Sequence, residues 1–430
     1  MGQLQHGRAW LIVALCMTAY VFSFIDRQIL ALLIEPIKAD LRLSDTQFGL
    51  LQGLAFSLFY ATMGIPVAGL ADRYPRPLII VAAVAFWSVA TMACGLARSF
   101  GTLFIARLGV GAGEAGLSPA TYSLISDLFP REKLGRAVGV YSMGSFLGAG
   151  IAFLVGGSVI GMVSSMKAVV VFGQEVRSWH LVFMIVGVPG IVLAALMALL
   201  VREPRAGGRD GRGKDVPSIL AVFRFLVAQR AIFVPHILGF SLMATSLYAM
   251  LGWTPAYLMR SFGMSAAACG LRLGIAALTM GMAGVFASGW LMDRLTMAGR
   301  RDAPFITGMV GSIGALCSVA ALPFATSANV ATALVALTLF FVSTPMAPST
   351  AVMQIVPPPA MRSRVSGIFL FFNSFVGLTM GSAAVGFLSD HVFSAVGSAL
   401  SMIVVGASLL AILLLARGRR PYALFGAEQP

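Results

Sequence analysis

Four charged residues stand inside runs that are otherwise apolar: Asp26 and Arg27 near the start of the chain, and Arg107 and Glu114 further on. In hydrocarbon each costs about 2.5–3.5 kcal/mol on insertion scales, so such residues pair with one another and mark pathways for ions or substrates. The four sum to zero charge. Two carboxylates beside two fixed cations make a proton-responsive site, because a neighbouring Arg and loss of water push a carboxyl group in opposite directions. Protonating Asp26 or Glu114 releases an Arg to hold a substrate anion. Equally, an arriving anion displaces a carboxylate, which then takes up a proton. The plainer alternative is a static salt-bridge network that only pins two helices together.

Helix geometry sharpens the pairing. Adjacent residues point about 100° apart, so Asp26 and Arg27 must each look to another helix. Arg107 and Glu114 are seven residues apart, share one face, and lie about 10.5 Å apart along the axis. In depth, Asp26 falls between them. The expected arrangement is Asp26 with Arg107 and Arg27 with Glu114.

The elements that must hold these residues are membrane helices. Of 430 residues, 58% are hydrophobic and 11% charged, against about 25% charged in a soluble domain. A bilayer core needs about 20 mostly apolar residues per helix. Twelve blocks qualify: 10–34, 46–71, 78–97, 102–126, 137–160, 180–201, 230–257, 266–291, 304–324, 330–353, 366–388 and 392–416. The first block is too long for the apolar core of a signal peptide and is interrupted by charge. Cys16, Cys94, Cys269 and Cys317 are scattered singly and read as small packing residues, with no disulfide framework and no metal spacing.

The net charge of +14 points away from nucleic acid once it is mapped. With the N-terminus cytoplasmic, 21 of the 30 basic residues fall on the cytoplasmic side. Six fall outside (Lys38, Arg42, Arg98, Lys167, Arg177 and Arg260), and three (Arg27, Arg107 and Arg272) lie within blocks. This is the positive-inside bias, and it puts both termini in the cytoplasm of a cell or inner membrane. Arg272, near the outer interface, reads as a snorkelling side chain.

The polar stretch from Arg202 to Pro217 separates six blocks from six. The expected organisation is an N-terminal bundle at 1–201, a linker at 202–228 and a C-terminal bundle at 229–430. The halves echo each other. The second block ends in Leu70-Ala71-Asp72-Arg73 with Arg76 following, and the eighth ends in Gly289-Trp290-Leu291-Met292-Asp293-Arg294. Arg136-Ala-Val-Gly139 precedes the fifth block as Arg364-Val-Ser-Gly367 precedes the eleventh. Duplication of a six-helix bundle is the economical account.

On these motifs the sequence resembles the major facilitator superfamily over essentially its whole length. That family's loop signature runs Gly-x-Leu-Ala-Asp-Arg-x-Gly-Arg-Arg. The first copy here departs from it at Ala68, Pro75 and Pro77, and the second lengthens the loop before Arg300. The resemblance implies an all-α membrane protein of two pseudo-symmetric six-helix bundles that rock about a central cavity, with no cofactor and usually as a monomer. It also implies a cytoplasmic gate at Asp72, Arg73, Arg76, Asp293 and Arg294. Phe24-Ile25-Asp26-Arg27-Gln28 and the run from Arg107 to Ala115 look like the spinster-like branch, associated with lysolipid-type cargo. They also look like the anion:cation symporters, associated with sugar acids. The family's antiporter signature needs Gly-Pro on the fifth helix, whereas Gly148-Ala149-Gly150 has no proline, which counts against a drug–proton antiporter.

By family analogy the first, fourth, seventh and tenth helices line the cavity, and they carry Tyr20, Phe24, Tyr122, Phe240, Tyr248, Trp253 and Phe341. With 30 Phe, 23 Met and only two Asn, Asn329 and Asn373, such a wall suits an amphipathic anion better than a hydroxyl-rich sugar. Most of these rings could equally pack helices or face lipid. A membrane-embedded enzyme is the competing class, and its motifs fail their context. Gly111-Ala-Gly113-Glu-Ala-Gly116 matches GxGxxG but follows no strand, and is better read as small residues admitting a close helix contact. Ser164-Ser165-Met166-Lys167 matches SxxK without its partner motifs.

Overall fold

The structure is a computed structural model and describes residues 3–164, 169–171, 174–203 and 218–425. The chain divides into two compact units, Met1–Gly208 with Gly263–Leu278, and Arg209–Phe262 with Thr279–Pro430. Among the described residues the elements are almost entirely helical.

In the first unit the order is α1 (Gln3–Leu32), α2 (Ile34–Leu41), α3 (Asp45–Gln52), α4 (Leu54–Arg73), α5 (Arg76–Cys94), α6 (Phe100–Glu114), α7 (Leu117–Leu128), α8 (Arg131–Ser164) and α9 (Ser178–Leu200). A short antiparallel hairpin, β1 (Val169–Val171) and β2 (Gln174–Val176), lies between α8 and α9. Then come α10 (Ile219–Ala228) and α11 (Arg230–Phe262), followed by α12 (Ala266–Ala276), which is part of the first unit. A π-helical turn at Ala277–Gly281, within which the first unit ends at Leu278 and the second resumes at Thr279, leads into α13 (Met282–Met297), then α14 (Ala303–Ala320), α15 (Ala328–Val342), α16 (Met346–Ile355), α17 (Arg362–His391) and α18 (Val396–Phe425).

Ten described helices are long and apolar enough to cross a membrane. The other two crossings are each made of two pieces, α3 with α4 and α6 with α7, which completes twelve. The breaks fall in register in the two halves. The second and fourth crossings are broken at Gly53 and at Ala115–Gly116, and the eighth and tenth at the π turn and at Ser343–Pro345. All four begin alike, with the serines Ser44, Ser99, Ser265 and Ser327 as N-caps accepting a backbone N–H three residues on. The stretch 218–228, expected as linker, is helix α10. Ser218 caps it, and Val222 and Leu226 bury against α11 and α17 residues.

Glycine sets the closest approaches. A Cβ on Gly111 of α6 would stand 2.1 Å from the Phe56 carbonyl oxygen of α4, and one on Gly284 of α13 would stand 2.0 Å from the Phe340 carbonyl oxygen of α15. The same crossing is thus built in each unit, with the glycine on the other member of the pair. Gly113 and Gly116 likewise seat α6 and its continuation against Trp87 and Ala83 of α5. The GxGxxG string is therefore a packing surface. Gly144 and Gly148 of α8 let α1 approach within contact of Met17 and Phe24, which orients the helix carrying Asp26 and Arg27. Cys16, Cys94 and Cys269 are buried packing residues, and Cys317 is exposed.

Candidate functional site

The four membrane charges meet inside the first unit. Arg27 on α1 reaches Glu114, the last residue of α6, with Nε at 2.7 Å and Nη2 at 2.5 Å from Oε2. Ser23, one turn before Arg27, donates to the same oxygen at 2.5 Å and accepts from Arg27 Nη2 at 3.2 Å. Charge-assisted bonds of this kind are the strong ones. The expected Arg27–Glu114 pair is formed.

The other expected pair is not. Arg107 is buried on α6, but its Nη1 donates to the backbone carbonyl of Asp26 at 3.3 Å, while its Nε has no partner. The Asp26 carboxylate makes no ion pair among the described residues. Its polar and charged neighbours are Glu114, Thr91, Arg107 and Arg27. Arg107 therefore meets the main chain of Asp26 and not its side chain, a matter of how α1 is turned about its axis. Glu114 Oε1 and Thr91 Oγ1 are also buried without a bond. The cluster therefore holds one compensated pair and, beside it, a carboxylate and a guanidinium with unused bonding capacity.

Aromatic faces hold Arg27. Its Cζ lies 5.0, 4.5 and 4.6 Å from the ring centroids of Phe24, Phe56 and Tyr60, and Arg107 stands 5.4 Å from Phe56. Cation–π contacts strengthen when desolvated. Phe56 and Tyr60, at i and i+4 on α4, were not singled out from the sequence. Nor was Ser23, although its i, i+4 spacing to Arg27 carried the signal. From Phe24 the rings continue. Tyr20 lies edge-on to Phe24 at 5.4 Å and stacks on Tyr141 at 5.0 Å, and Tyr122 meets Tyr141 at 5.2 Å. Tyr122 is exposed. A run of rings thus leads from the arginine to the surface of the unit.

In the second unit the expected wall residues divide. Phe240 and Trp253 are fully buried. Phe240 sits in the core with Phe305, Phe369 and Leu415, and Trp253 Nε1 donates to the Ser382 carbonyl at 2.9 Å. Both are packing residues, because an aromatic type on a membrane helix does not reveal which way it faces. Tyr248 lies against Gly377 of α17 and Phe341 covers Gly314 of α14, and both are half-buried.

The expected gate residues also divide. Arg76 is wholly buried inside its own unit. It pairs with Asp127 at 2.7 Å and with Glu203, and donates to the Ser123 carbonyl at 2.7 Å. It ties together the ends of α5, α7 and α9. Asp72 and Arg73 end α4, and their side chains lie outside the described residues. Asp293 and Arg294 are exposed on α13, with Arg294 over the Trp290 ring at 5.0 Å. Ser165, Met166 and Lys167 of the SxxK string lie outside the described residues, and Ser164 ends α8.

Residues 16–382 match the family model of the Major Facilitator Superfamily. An MFS-type efflux pump of Mycolicibacterium smegmatis is 30% identical over 94% of this chain and 92% of its own length. A probable L-galactonate transporter of Escherichia coli is 27% identical over 87% of this chain and 82% of its own. Among solved structures, a bacterial homolog of the human lysosomal transporter spinster, inward-facing and unoccupied, superposes with a TM-score of 0.79. It is 27% identical and covers 98% of this chain and 97% of that one.

Proposed function

This chain belongs to the Major Facilitator Superfamily, and on that premise we propose that it is a proton-coupled secondary transporter of an organic anion with an apolar part, working by alternating access. The observation that carries the reading is the Asp26 carboxyl, buried beside two arginines yet in ion pair with neither. An unpaired charge in a dry place is costly, and taking a proton removes that cost. Arg107, with a free Nε, is the cation for an arriving anion; Glu114, with a free Oε1, is the second proton carrier. The ring run from Phe24 to Tyr122 supports a cargo with apolar surface. Asp72, Arg73, Asp293 and Arg294 serve as the cytoplasmic gate in this reading. The basic bias supports cytoplasmic termini in a cell membrane.

A small sugar acid moved with a proton is the second reading, favoured by the likeness to the probable L-galactonate transporter. The likeness to an efflux pump favours export, while the proline-free fifth helix counts against a drug–proton antiporter. The test is transport by purified protein in liposomes. Asp26→Asn and Glu114→Gln abolish flux driven by a pH gradient and leave substrate exchange largely intact. Wild-type rates under a gradient in both variants would sink the coupling. Thermal-shift screens with lysophospholipids and small carboxylates at two pH values separate the cargo classes.

A further inference from the structure

In the second unit, the ends of α11 and α18 enclose an open groove of about 410 Å³, lined by Arg230, Ala231, Val234, Pro235, Arg417 and Pro421. Its floor is a close helix contact. A Cβ on Gly418 would stand 2.8 Å from Pro235 Cβ, so only glycine lets the two helices meet here. Two cations flank it. Arg230 opens α11 and Arg417 lies in the last turns of α18; both are exposed, and neither has an ion pair among the described residues. Arg419, two residues on, is by contrast paired with Asp302 at 2.5 Å.

From each arginine an apolar stripe runs towards the middle of the helix. On α11, positions 230, 234 and 238 share a face, and Val234 and Leu238 are 48% and 41% exposed. On α18, positions 417, 413 and 410 share a face, and Leu413 and Leu410 are 61% and 54% exposed. The two helices begin and end so that both arginines stand at the same end. The prolines add a further feature. Proline has no N–H for the carbonyl four residues earlier, so the Ala231 and Arg417 carbonyls lose their helix donors within the groove.

We infer that this groove binds an anionic phospholipid of the surrounding leaflet, with its phosphate between Arg230 and Arg417 and an acyl chain along the paired stripes. Basic pockets between membrane helices hold such headgroups, and each Arg near the surface adds affinity. A headgroup carrying hydroxyls beside the phosphate, as in phosphatidylglycerol, also supplies donors to the two carbonyls. The occupant is a resident lipid of the second unit, distinct from the cargo handled by the charges on α1 and α6.

The test titrates purified full-length protein with phosphatidylglycerol, phosphatidylcholine or inorganic phosphate, reading lipid affinity by native mass spectrometry and stability by thermal melting. Wild type prefers phosphatidylglycerol and is stabilised by it. Each of Arg230→Gln and Arg417→Gln lowers that affinity about fivefold, and the double variant about 25-fold. The double Lys variant keeps most of it. Arg202→Gln/Arg224→Gln, which removes the same charge outside the groove, changes it less than twofold. An unchanged melting temperature in phosphatidylcholine shows the variants folded. Equal affinity of wild type for the two lipids overturns the site, as does an equal loss in the charge-matched control. Protection by inorganic phosphate alone, at the level given by the lipid, overturns the lipid as occupant.

Discussion

Removing either member of the Arg27–Glu114 pair should be far more damaging than removing both. Glu114 Oε2 accepts three bonds, from Arg27 Nε, Arg27 Nη2 and Ser23 Oγ, and both charged side chains are almost free of solvent. Breaking such a pair from one side leaves an uncompensated buried charge and costs about 3–5 kcal/mol. Arg27→Met and Glu114→Gln are each expected to lose that much. In the double variant no stranded charge remains, and the desolvation penalty of both ions is relieved. Replacing a buried pair with neutral groups is often neutral or stabilising by about 1–4 kcal/mol. The double variant should therefore fall within about 2 kcal/mol of wild type, against a simple sum of about 6–10 kcal/mol, a coupling well beyond the ordinary range for contacting residues. Equilibrium unfolding of purified protein in mixed detergent micelles measures all four corners of the cycle. Additive losses, or single losses below about 1 kcal/mol, would refute the reasoning, because they would mean that water screens the pair.

Gly111→Ala should destabilise by about 1–3 kcal/mol or more, since its methyl group would overlap the Phe56 carbonyl; thermal melting reads it directly. Arg76→Gln leaves Asp127 and Glu203 facing each other without their cation and is expected to cost about 2–3 kcal/mol, less than the Glu114 break because both carboxylates keep some solvent. Asp302 supplies a pH dependence. Partial burial pushes its carboxyl up, but the bond from Arg300 and the charges of Arg300 and Arg419 outweigh this and hold it below the ordinary carboxylate range. Its folded value being depressed, its stabilisation is full above about pH 4 and is lost as pH falls through that folded value. Asp302→Asn should cost about 0.5–1 kcal/mol at pH 7, the two arginines being partly exposed, and the gap to wild type should close as pH falls through the depressed folded value.

The crossings were legible because their signal is a length set by the bilayer. The block 46–71 became α3 with α4 at 45–73, and 366–388 became α17 at 362–391. What breaks a crossing was not legible. The π turn at Ala277–Gly281 reads ALTMG, with no proline and nothing local to mark it. Helix α10 carries a signal, Ser218 followed by Val222 and Leu226, but the Gly- and charge-rich stretch ahead of it dominates the local composition. At the charged cluster, composition names the four residues and depth places Asp26 between Arg107 and Glu114. Which atom of Asp26 meets Arg107 depends on how α1 is turned, and α1 is seated against Gly144 and Gly148 of a helix more than 100 residues away. The same blindness to rotation sent Phe240 and Trp253 to the wall when they belong to the core.

The collar of Phe24, Phe56 and Tyr60 around Arg27 has a mechanical consequence. Ring faces carry no proton at physiological pH, so their hold on the guanidinium persists when Glu114 is neutralised and lets go. In the proposed mechanism Arg27 is then a fixed post, about which protons and cargo would turn as about the spindle of a turnstile.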